Sequence, residues 1–571
     1  MAMLRLSVNM LRWPMFQKIS FFVVSSSLPL FCLILWLVRN TQLPTADAAN
    51  YLSTAINIYH HFIHGGINEG LHSLYFDRGW RPIFFPSLLV PFLGLFHGNL
   101  YMASNSMILT TFFISLLYVY LIMRLRLDTL CAIIATNLIG LLPLFQTQFL
   151  TLFAESAFFP CVMASLYHLI KSNYMQDVKQ SLSFACFVSL AILIRPVEAV
   201  MHLFLVMMIF MYLGWHHGVF SLQSIGKMKN LFMPVFSLII LLVFLWFLPF
   251  ADETRDWIYR TSIGDVAIGA GPARYSFWQT AYNYLSAEGS VVVIGITLIA
   301  LISLFSLERI KLYGVLSSVI FIYLISMIPF AFVEVFYSVQ ATPRRLSVAF
   351  PALLMSLLLL GLQRGRFWSV RFGGILVLLI IQFIFVIILN LTSKYEMPMP
   401  WLNMMIGYLI PQPITVNPNP HNKILQFFSS EVKKYHLTDI ILEVNPNFGL
   451  PYDPFLLRTM VEASNAGYVT SYSYFSHFLV DNPKIISKNH SGLFLSDQAD
   501  KMNYYSHNIE LYNKLYQNEK DPSLKTYYQF LFYFSEQKLA DLNWYIASCI
   551  ILKGKDNNDY RGCLLLPTNK G

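Results

Sequence analysis

The chain has 571 residues, of which 56% are hydrophobic and 12% are charged, and its mean hydropathy is +0.55. Because soluble globular proteins carry roughly 25% charged residues, this composition excludes an ordinary soluble protein and indicates a polytopic membrane protein. The formal net charge of +9 lies in the first 393 residues, since the chain from Lys394 onward holds 16 basic and 16 acidic side chains. This charge reflects membrane topology and gives no reason to expect nucleic-acid binding.

Apolar runs that approach or reach the length needed to cross a ~30 Å hydrocarbon core recur along the chain. We expect eleven spans, at 19–38, 100–123, 129–145, 149–170, 181–194, 197–215, 230–250, 290–307, 315–336, 346–362 and 372–391. The basic turns between them fall on the side of the N-terminus, and the positive-inside bias makes that side cytoplasmic. An odd number of spans then places the C-terminus outside.

The first outer loop, residues 39–86, is unusually polar for this chain. Asp47 precedes a helix predicted over 48–64, and a Gly-Gly break follows. Asp77 and Arg81 come next, the latter opening a proline-bracketed aromatic run, RPIFFPSLL. Asp47 is either a catalytic carboxylate or a helix N-cap, since Asp caps helices well.

Two histidines of this loop, His60 and His64, fall on one face of the predicted helix. Histidines one turn apart are a spacing that metal ligands use, but histidines are also common at membrane interfaces. The metal content of the protein therefore stays open at this point.

The apolar run 181–194 is short for a span, because its 14 residues at 1.5 Å rise reach only about 21 Å. It ends at Arg195-Pro196, where the next run begins at once, and lysines on the cytoplasmic side flank the whole block 181–215. We therefore expect two crossings that meet at Arg195, below the outer membrane surface. A charge at that depth indicates a functional site, and snorkelling to the interface is the alternative.

Other charged residues are predicted at the same outer face. Glu155 lies six residues into the fourth span, Arg344 and Arg345 open the tenth, and 251–289 is a second long outer loop with a glycine-rich centre. A cleft built from such residues offers a carboxylate that accepts a proton and arginines whose planar fork suits phosphate oxygens.

The composition changes after the last span. Residues 394–420 are proline-rich and resemble a linker, and 421–571 read as a small soluble α/β domain on the outer side. Helical periodicity covers 421–437, and strands are predicted within 438–446 and 468–475. Cys549 and Cys563 lie in this region, where a disulfide can form if their Cα atoms are close enough.

The order of these features resembles the GT-C integral-membrane glycosyltransferases, including the protein O-mannosyltransferase and aminoarabinose (lipid A) transferase branch. The resemblance covers about residues 19–390 and rests on five short stretches: Asp47 before a helix, Arg81 to Leu89, Phe153 to Ser156, Leu193 to Pro196, and Arg344-Arg345 with Pro351. It implies an all-α polytopic membrane protein with a GT-C-like module over 1–393.

The resemblance also implies an inverting enzyme that moves a sugar from a polyprenyl-phosphate donor to a hydroxyl or amine of a lipid, glycan or protein. Asp47 would be the base, and six residues would contact substrate: Asp77, Arg81, Glu155, Arg195, Arg344 and Arg345. Many members carry a paired acidic motif in the first loop, whereas Ala48 follows Asp47 here. Whether a divalent cation is bound is therefore open, and no other cofactor is expected.

Two other classes of function compete with this interpretation. A transporter or flippase places ionisable residues near the bilayer midplane, whereas this chain concentrates them at one outer face. A polysaccharide polymerase acting on lipid-linked sugars shares the layout but is disfavoured by the first-loop Asp and the Arg-Pro aromatic run. The low Gly and Pro content favours a bacterial protein of the inner membrane.

The predicted topology can be tested with reporter fusions. A reporter that is active only in the cytoplasm should work when fused after Lys179, because an even number of predicted spans precedes that residue. It should fail when fused after Gly571, because all eleven spans precede that residue. Cytoplasmic activity at Gly571 would show that the number of spans is even.

Overall fold

The computed structural model describes the chain in segments. These are 27–40, 47–76, 84–172, 177–196, 198–199, 290–326, 348–365, 367–391, 420–437, 439–443, 469–473, 491–498, 544–553 and 559–567, with residues 208, 211, 212, 239, 251, 252 and 255. The described residues form two compact units, one drawn from 1–41, 71–92 and 101–415 and the other from 42–70, 93–100 and 416–571.

Helices dominate the first of these units. In chain order the helices of the described residues are α1 (Ser27–Arg39), α2 (Asp47–His64), α3 (Gly66–Phe76), α4 (Phe85–Leu95), α5 (Leu100–Arg124), α6 (Thr129–Gly140), α7 (Pro143–Leu150), α8 (Glu155–Lys171), α9 (Val178–Ile194), α10 (Ser290–Ser306), α11 (Arg309–Leu316), α12 (Val319–Ser326), α13 (Ala349–Gly361), α14 (Trp368–Leu391) and α15 (Pro420–Tyr435). Helix α2 confirms the helix predicted over 48–64, with its start one residue earlier.

Within the described residues, α5 and α14 are each long and apolar enough to cross a membrane, and the bent pair α6–α7 adds a third candidate. Five shorter apolar helices, α1, α4, α9, α10 and α13, accompany them. These helices are those of an integral membrane protein, and the count of eleven spans stays a prediction.

The third and fourth predicted spans differ in detail from the structure. Helices α6 and α7 meet at an angle of 63°, and α8 begins only at Glu155, whereas the predicted run starts at 149. Leu152, in the turn between α7 and α8, has φ +49°, a left-handed backbone conformation. An apolar run shows where the chain can be buried but not where its helix ends.

Two buried amide side chains stabilise the break between α6 and α7. Gln146 donates through Nε2 to Gly140 O at 3.0 Å, and Gln382 of α14 donates to Leu141 O at 3.0 Å. Both glutamines are fully buried. A helix break frees backbone carbonyls, which need partners where no water reaches them, and these amides provide them.

Helices α5, α8 and α9 are joined by a hydrogen-bonded chain of side chains. His168 Nδ1 donates to Gln180 Oε1 at 2.7 Å, and its Nε2 accepts from the Tyr118 hydroxyl at 3.1 Å. The imidazole also stacks on Phe187, with ring centroids 5.5 Å apart and an interplanar angle of 7°. These contacts fix the α8–α9 hairpin against α5 near the end that the topology assigns to the cytoplasm.

At the opposite end, the last turn of α1 is held from two sides. The Tyr101 hydroxyl, at the start of α5, lies 2.7 Å from Leu37 O and 2.6 Å from Asn40 O. Arg39 donates through Nη1 to Asn390 O, near the end of α14, at 3.0 Å. The chain therefore leaves α1 toward the first outer loop from a fixed position.

Arg371 is one of the basic residues that the sequence assigns to a cytoplasmic turn, but the structure buries it. Its side chain is 1% exposed and donates to Ser303 Oγ at 2.6 Å and to Gln363 O at 2.9 Å. A guanidinium placed at the end of α13 satisfies carbonyl groups that a helix C-terminus leaves without partners.

In the part of the second unit that the structure describes, α2 and α15 accompany a mixed sheet of five strands. The strands are β1 (Asp439–Glu443), β2 (Val469–Ser473), β3 (Ser491–Gln498), β4 (Trp544–Lys553) and β5 (Asp559–Pro567), in the order β2-β1-β3-β5-β4. The pairs β1–β2 and β1–β3 are parallel, and β3–β5 and β4–β5 are antiparallel. Strands β1 and β2 lie within the two segments predicted as strands.

The amide of Gln382 provides a test of the helix break. Gln382→Met keeps the volume but leaves the buried Leu141 carbonyl without its donor, so we expect the free energy of unfolding to fall by about 1–3 kcal/mol. Thermal unfolding in detergent measures this change. Val377→Met, at a position of the same helix that is 54% exposed, is the matched control, and equal effects of the two substitutions would contradict the role of Gln382.

Candidate functional site

The site is built on the hairpin of α8 and α9. Each helix has 17 residues, which is about 25 Å at 1.5 Å per residue. Glu155 is the first residue of α8, and Arg195 directly follows the last residue of α9. Two antiparallel helices of equal length therefore bring these two residues to the same level, far from the turn that joins them.

Arg195 contacts two carboxylates at this level. Its Nη2 donates to Glu155 Oε1, and its Nη1 donates to Glu198 Oε1 at 2.5 Å. The exposed fractions of the side chains are 21% for Arg195, 4% for Glu155 and 14% for Glu198. Arg195 is thus paired with two carboxylates and largely enclosed by protein, and its depth in the membrane stays a prediction.

The local sequence explains why the chain turns here. A residue before proline is disfavoured in the helical region, and Arg195, which precedes Pro196, has φ −143° and ψ +81°. Its carbonyl then accepts from Ala199 N at 2.9 Å, which begins a new helical turn. Glu198 stands three residues after Arg195 on this turn, a spacing at which side chains meet.

A third segment of the chain contacts the hairpin beside the turn at Arg195-Pro196. Phe84 N donates to Leu193 O at 3.1 Å, and Phe85, where α4 begins, is 1% exposed. Phe84 belongs to the aromatic run that starts at Arg81, and Leu193 belongs to the turn that contains Arg195. The structure thus brings together two of the stretches on which the sequence resemblance rests.

Comparisons with known proteins identify the fold. A comparison with protein-family models finds no match, and a comparison with curated proteins finds none either. Among solved structures, the archaeal oligosaccharyltransferase AglB from Archaeoglobus fulgidus, in complex with an inhibitory peptide and a dolichol-phosphate, matches with a TM-score of 0.50 and 12% identity over 87% of this chain and 71% of that chain. The chain has the GT-C fold.

Two further GT-C structures are similar at lower scores. ArnT from Cupriavidus metallidurans bound to undecaprenyl phosphate has a TM-score of 0.47 and 11% identity, over 96% of this chain and 98% of that chain. The Archaeoglobus fulgidus oligosaccharyltransferase in complex with Zn and sulfate has a TM-score of 0.49 and 12% identity, over 84% of this chain and 69% of that chain. At such identities the likeness concerns the fold.

The GT-C fold confirms the resemblance seen in the sequence, and the predicted site residues can be placed in it one by one. Glu155 and Arg195 are in contact, as described above. Asp47 is the first residue of α2, in the second compact unit. Four predicted residues, Asp77, Arg81, Arg344 and Arg345, lie outside the described residues.

Sequence reasoning missed Glu198, although a signal for it was present. The stretch Arg195-Pro196-Val197-Glu198 places an acid three residues after a base, and opposite charges at that spacing interact in a helical turn. Glu198 falls inside the apolar run 197–215, and one acidic residue near the start of such a run does not interrupt its apolar pattern.

The described part of the chain contains no group of three or more His, Cys, Asp or Glu side chains that could hold a metal ion. His60 and His64 of α2 stack on each other, with ring centroids 5.6 Å apart and an interplanar angle of 11°. Glu155 and Glu198 both face Arg195.

The buried ion pair can be tested by stability measurements. Glu155→Gln removes the more deeply buried of the two carboxylates that face Arg195, which keeps Glu198, so the free energy of unfolding should fall by about 1–3 kcal/mol. The matched control is Glu308→Gln, whose partner Lys311 lies at 3.1 Å while the two side chains are 71% and 49% exposed. Exposed pairs contribute less than about 1 kcal/mol.

The substitution Arg195→Gln tests the same cluster from the other side. It should lower stability more than Glu155→Gln does, because it leaves the carboxylates of Glu155 and Glu198 without the cation that they share. If Glu155→Gln had no larger effect than Glu308→Gln in chemical unfolding, the ion pair would not be a structural element of the hairpin.

Proposed function

We propose that this protein is an inverting glycosyltransferase that moves a sugar from a polyprenyl-phosphate donor to a hydroxyl or amine at the outer face of the membrane. The observation that carries the proposal is the GT-C fold, shared over 87% of this chain with an oligosaccharyltransferase solved with a dolichol-phosphate and an inhibitory peptide. A lipid-linked donor and an acceptor on the outer side are the substrates that such a fold suggests here.

The position of the paired charges supports a reaction at the outer level of the membrane. Glu155 and Arg195 lie about 25 Å from the turn between α8 and α9. Lys171 and Lys179 flank this turn, and the positive-inside bias therefore assigns it to the cytoplasm. A hydrocarbon core about 30 Å thick then puts the pair a few ångströms below its outer boundary. This is the depth at which the phosphate of a lipid carrier meets the apolar layer.

The proposed reaction is a single displacement. The acceptor oxygen or nitrogen forms a bond to the anomeric carbon on the face opposite the phosphate, while the bond between that carbon and the phosphate oxygen breaks. The proton of the acceptor passes to the Asp47 carboxylate, and polyprenyl phosphate leaves with the bonding electron pair. A positioned carboxylate is the usual base for attack on an oxocarbenium-like centre.

Arginines have the second role in the proposal, because the departing phosphate gains negative charge. A fixed cation stabilises such charge better than water does, since it needs no reorganisation as the charge develops. Glu155 and Glu198 fix the Arg195 guanidinium by two contacts and offset its charge. In the proposal Arg195 therefore positions the substrate, and the departing phosphate is met by the other arginines. Arg81 stands three residues before Phe84, which is hydrogen-bonded next to Arg195, and Arg344, Arg345 and Asp77 complete the proposed substrate contacts.

The finer architecture also belongs to this proposal. It comprises eleven spans with a cytoplasmic N-terminus, a module over 1–393, a linker over 394–420 and an outward α/β domain over 421–571, in a bacterial inner membrane. The sheet of the second unit and the helix α15 support an α/β fold for the last region. The sugar and the acceptor are left general, and a divalent cation is an open part of the mechanism.

Asp47→Asn tests the proposed base. Asn caps helices about as well as Asp, so expression and the start of α2 should be kept, while loss of the carboxylate should lower turnover by about 100-fold or more. Turnover is measured as transfer of labelled sugar from native lipid-linked donors in isolated membranes, corrected for the amount of protein. Glu69→Gln, which removes an exposed carboxylate of the same loop, should leave the rate near that of the wild type.

Near-normal transfer by the Asp47→Asn protein would end the proposed mechanism. Wild-type membranes that show no transfer from any lipid-linked donor, compared with membranes lacking the protein, would instead favour the transporter or flippase class.

A further inference from the structure

Two cysteines of the second unit lie opposite each other in the sheet. In the antiparallel pair β4–β5, Cys549 is the register partner of Cys563. The register is continuous from this pair to Lys553 and Asp559 at the end of the hairpin, and the bulge near Ile546 lies on the other side of Ser548. The cysteine pair is therefore in a regular part of the ladder.

The register supplies the distance that the sequence alone cannot. Directly opposed residues in an antiparallel pair have Cα atoms about 4.5 or 5.5 Å apart, depending on whether the pair is hydrogen-bonded. A disulfide needs a Cα separation of about 4.4–6.8 Å, so both kinds of pair satisfy it. We propose that Cys549 and Cys563 form a cross-strand disulfide.

The other cysteines of the chain differ from this pair. Cys32, Cys131, Cys161 and Cys186 are free thiols, the first three of them buried. They lie on the apolar helices α1, α6, α8 and α9. Buried free cysteines on such helices act as small apolar side chains. The proposal thus concerns only the β4–β5 hairpin, and the four free thiols serve as reduced controls when the disulfide is tested.

Formation of the bond is an oxidation. The two thiols lose two electrons and two protons, and the S–S bond forms as the disulfide of a thiol–disulfide exchange protein is reduced to a dithiol. Such oxidants act in extracytoplasmic compartments. The proposal therefore rests on the predicted outer location of residues 421–571, and it is independent of the proposed glycosyl transfer.

The position of the bridge in the sheet indicates what it does. Among the described strands, β4 is at the edge of the sheet, and β5 lies between β4 and β3. The edge strand reads WYIASCIILK and is largely apolar, and an apolar edge is a template for pairing with other chains. A covalent link to β5 holds this edge strand in the sheet and closes a loop of 15 residues, 549–563.

Peptide mapping of the full-length protein from native membranes tests the bond. The protein is denatured without reductant in N-ethylmaleimide and digested with trypsin, which places Cys549 in peptide 539–553 and Cys563 in peptide 562–570. We expect the two peptides as one linked species that separates on reduction, while the Cys186 peptide is alkylated. Recovery of both peptides separately, each carrying N-ethylmaleimide, would overturn the proposal.

Substitution shows whether the bond stabilises the hairpin. Cys549→Ser, Cys563→Ser and the double variant should each speed proteolysis within 539–570 by on the order of 100-fold, the effect expected for a 15-residue loop. The three effects should be equal, because one bond is lost in each case. Dithiothreitol should speed cleavage of the wild type to the same rate and leave the variants unchanged. A wild type that is insensitive to dithiothreitol would contradict the bridge.

Discussion

The ion cluster around Arg195 is the contact on which the geometry of the first unit depends. A charge with little access to water must be paired, and the Arg195 guanidinium meets Glu155 and Glu198. Because Glu155 begins α8 and Arg195 directly follows α9, the ion pair fixes the relative height of the two helices. Phe84, bonded to Leu193, brings α4 to the same level.

The same unit fixes the point from which the first outer loop departs. Tyr101 and the Arg39–Asn390 contact hold the last turn of α1 against α5 and α14. The first outer loop, which carries Asp47, starts directly after this turn. In the proposed reaction, positioning and electrostatic stabilisation do most of the work, and both need rigid anchoring of this kind.

The sequence predicted those features that depend on charge and on short-range pattern. The depth of Arg195 followed from the length of one apolar run, and α2, β1 and β2 followed from local periodicity. The break between α6 and α7 has a local signal in Gly140 and Pro143, since proline favours the first turn of a helix. Its angle of 63° depends on the packing of the surrounding helices, which local pattern does not give. The contact between Glu155 and Arg195 needed the pairing of two helices, and the opposition of Cys549 and Cys563 needed the strand register.

The central claim is that the protein consumes a lipid-linked sugar at the outer face and does not move the lipid across the bilayer. Purified protein in vesicles, supplied with labelled polyprenyl-phosphate sugars and an acceptor extract but no nucleotide sugar, separates the two directly. We expect loss of the donor with release of an equal amount of polyprenyl phosphate and label in the acceptor. Donor that changes leaflet with its sugar still attached, and no released polyprenyl phosphate, would contradict the claim.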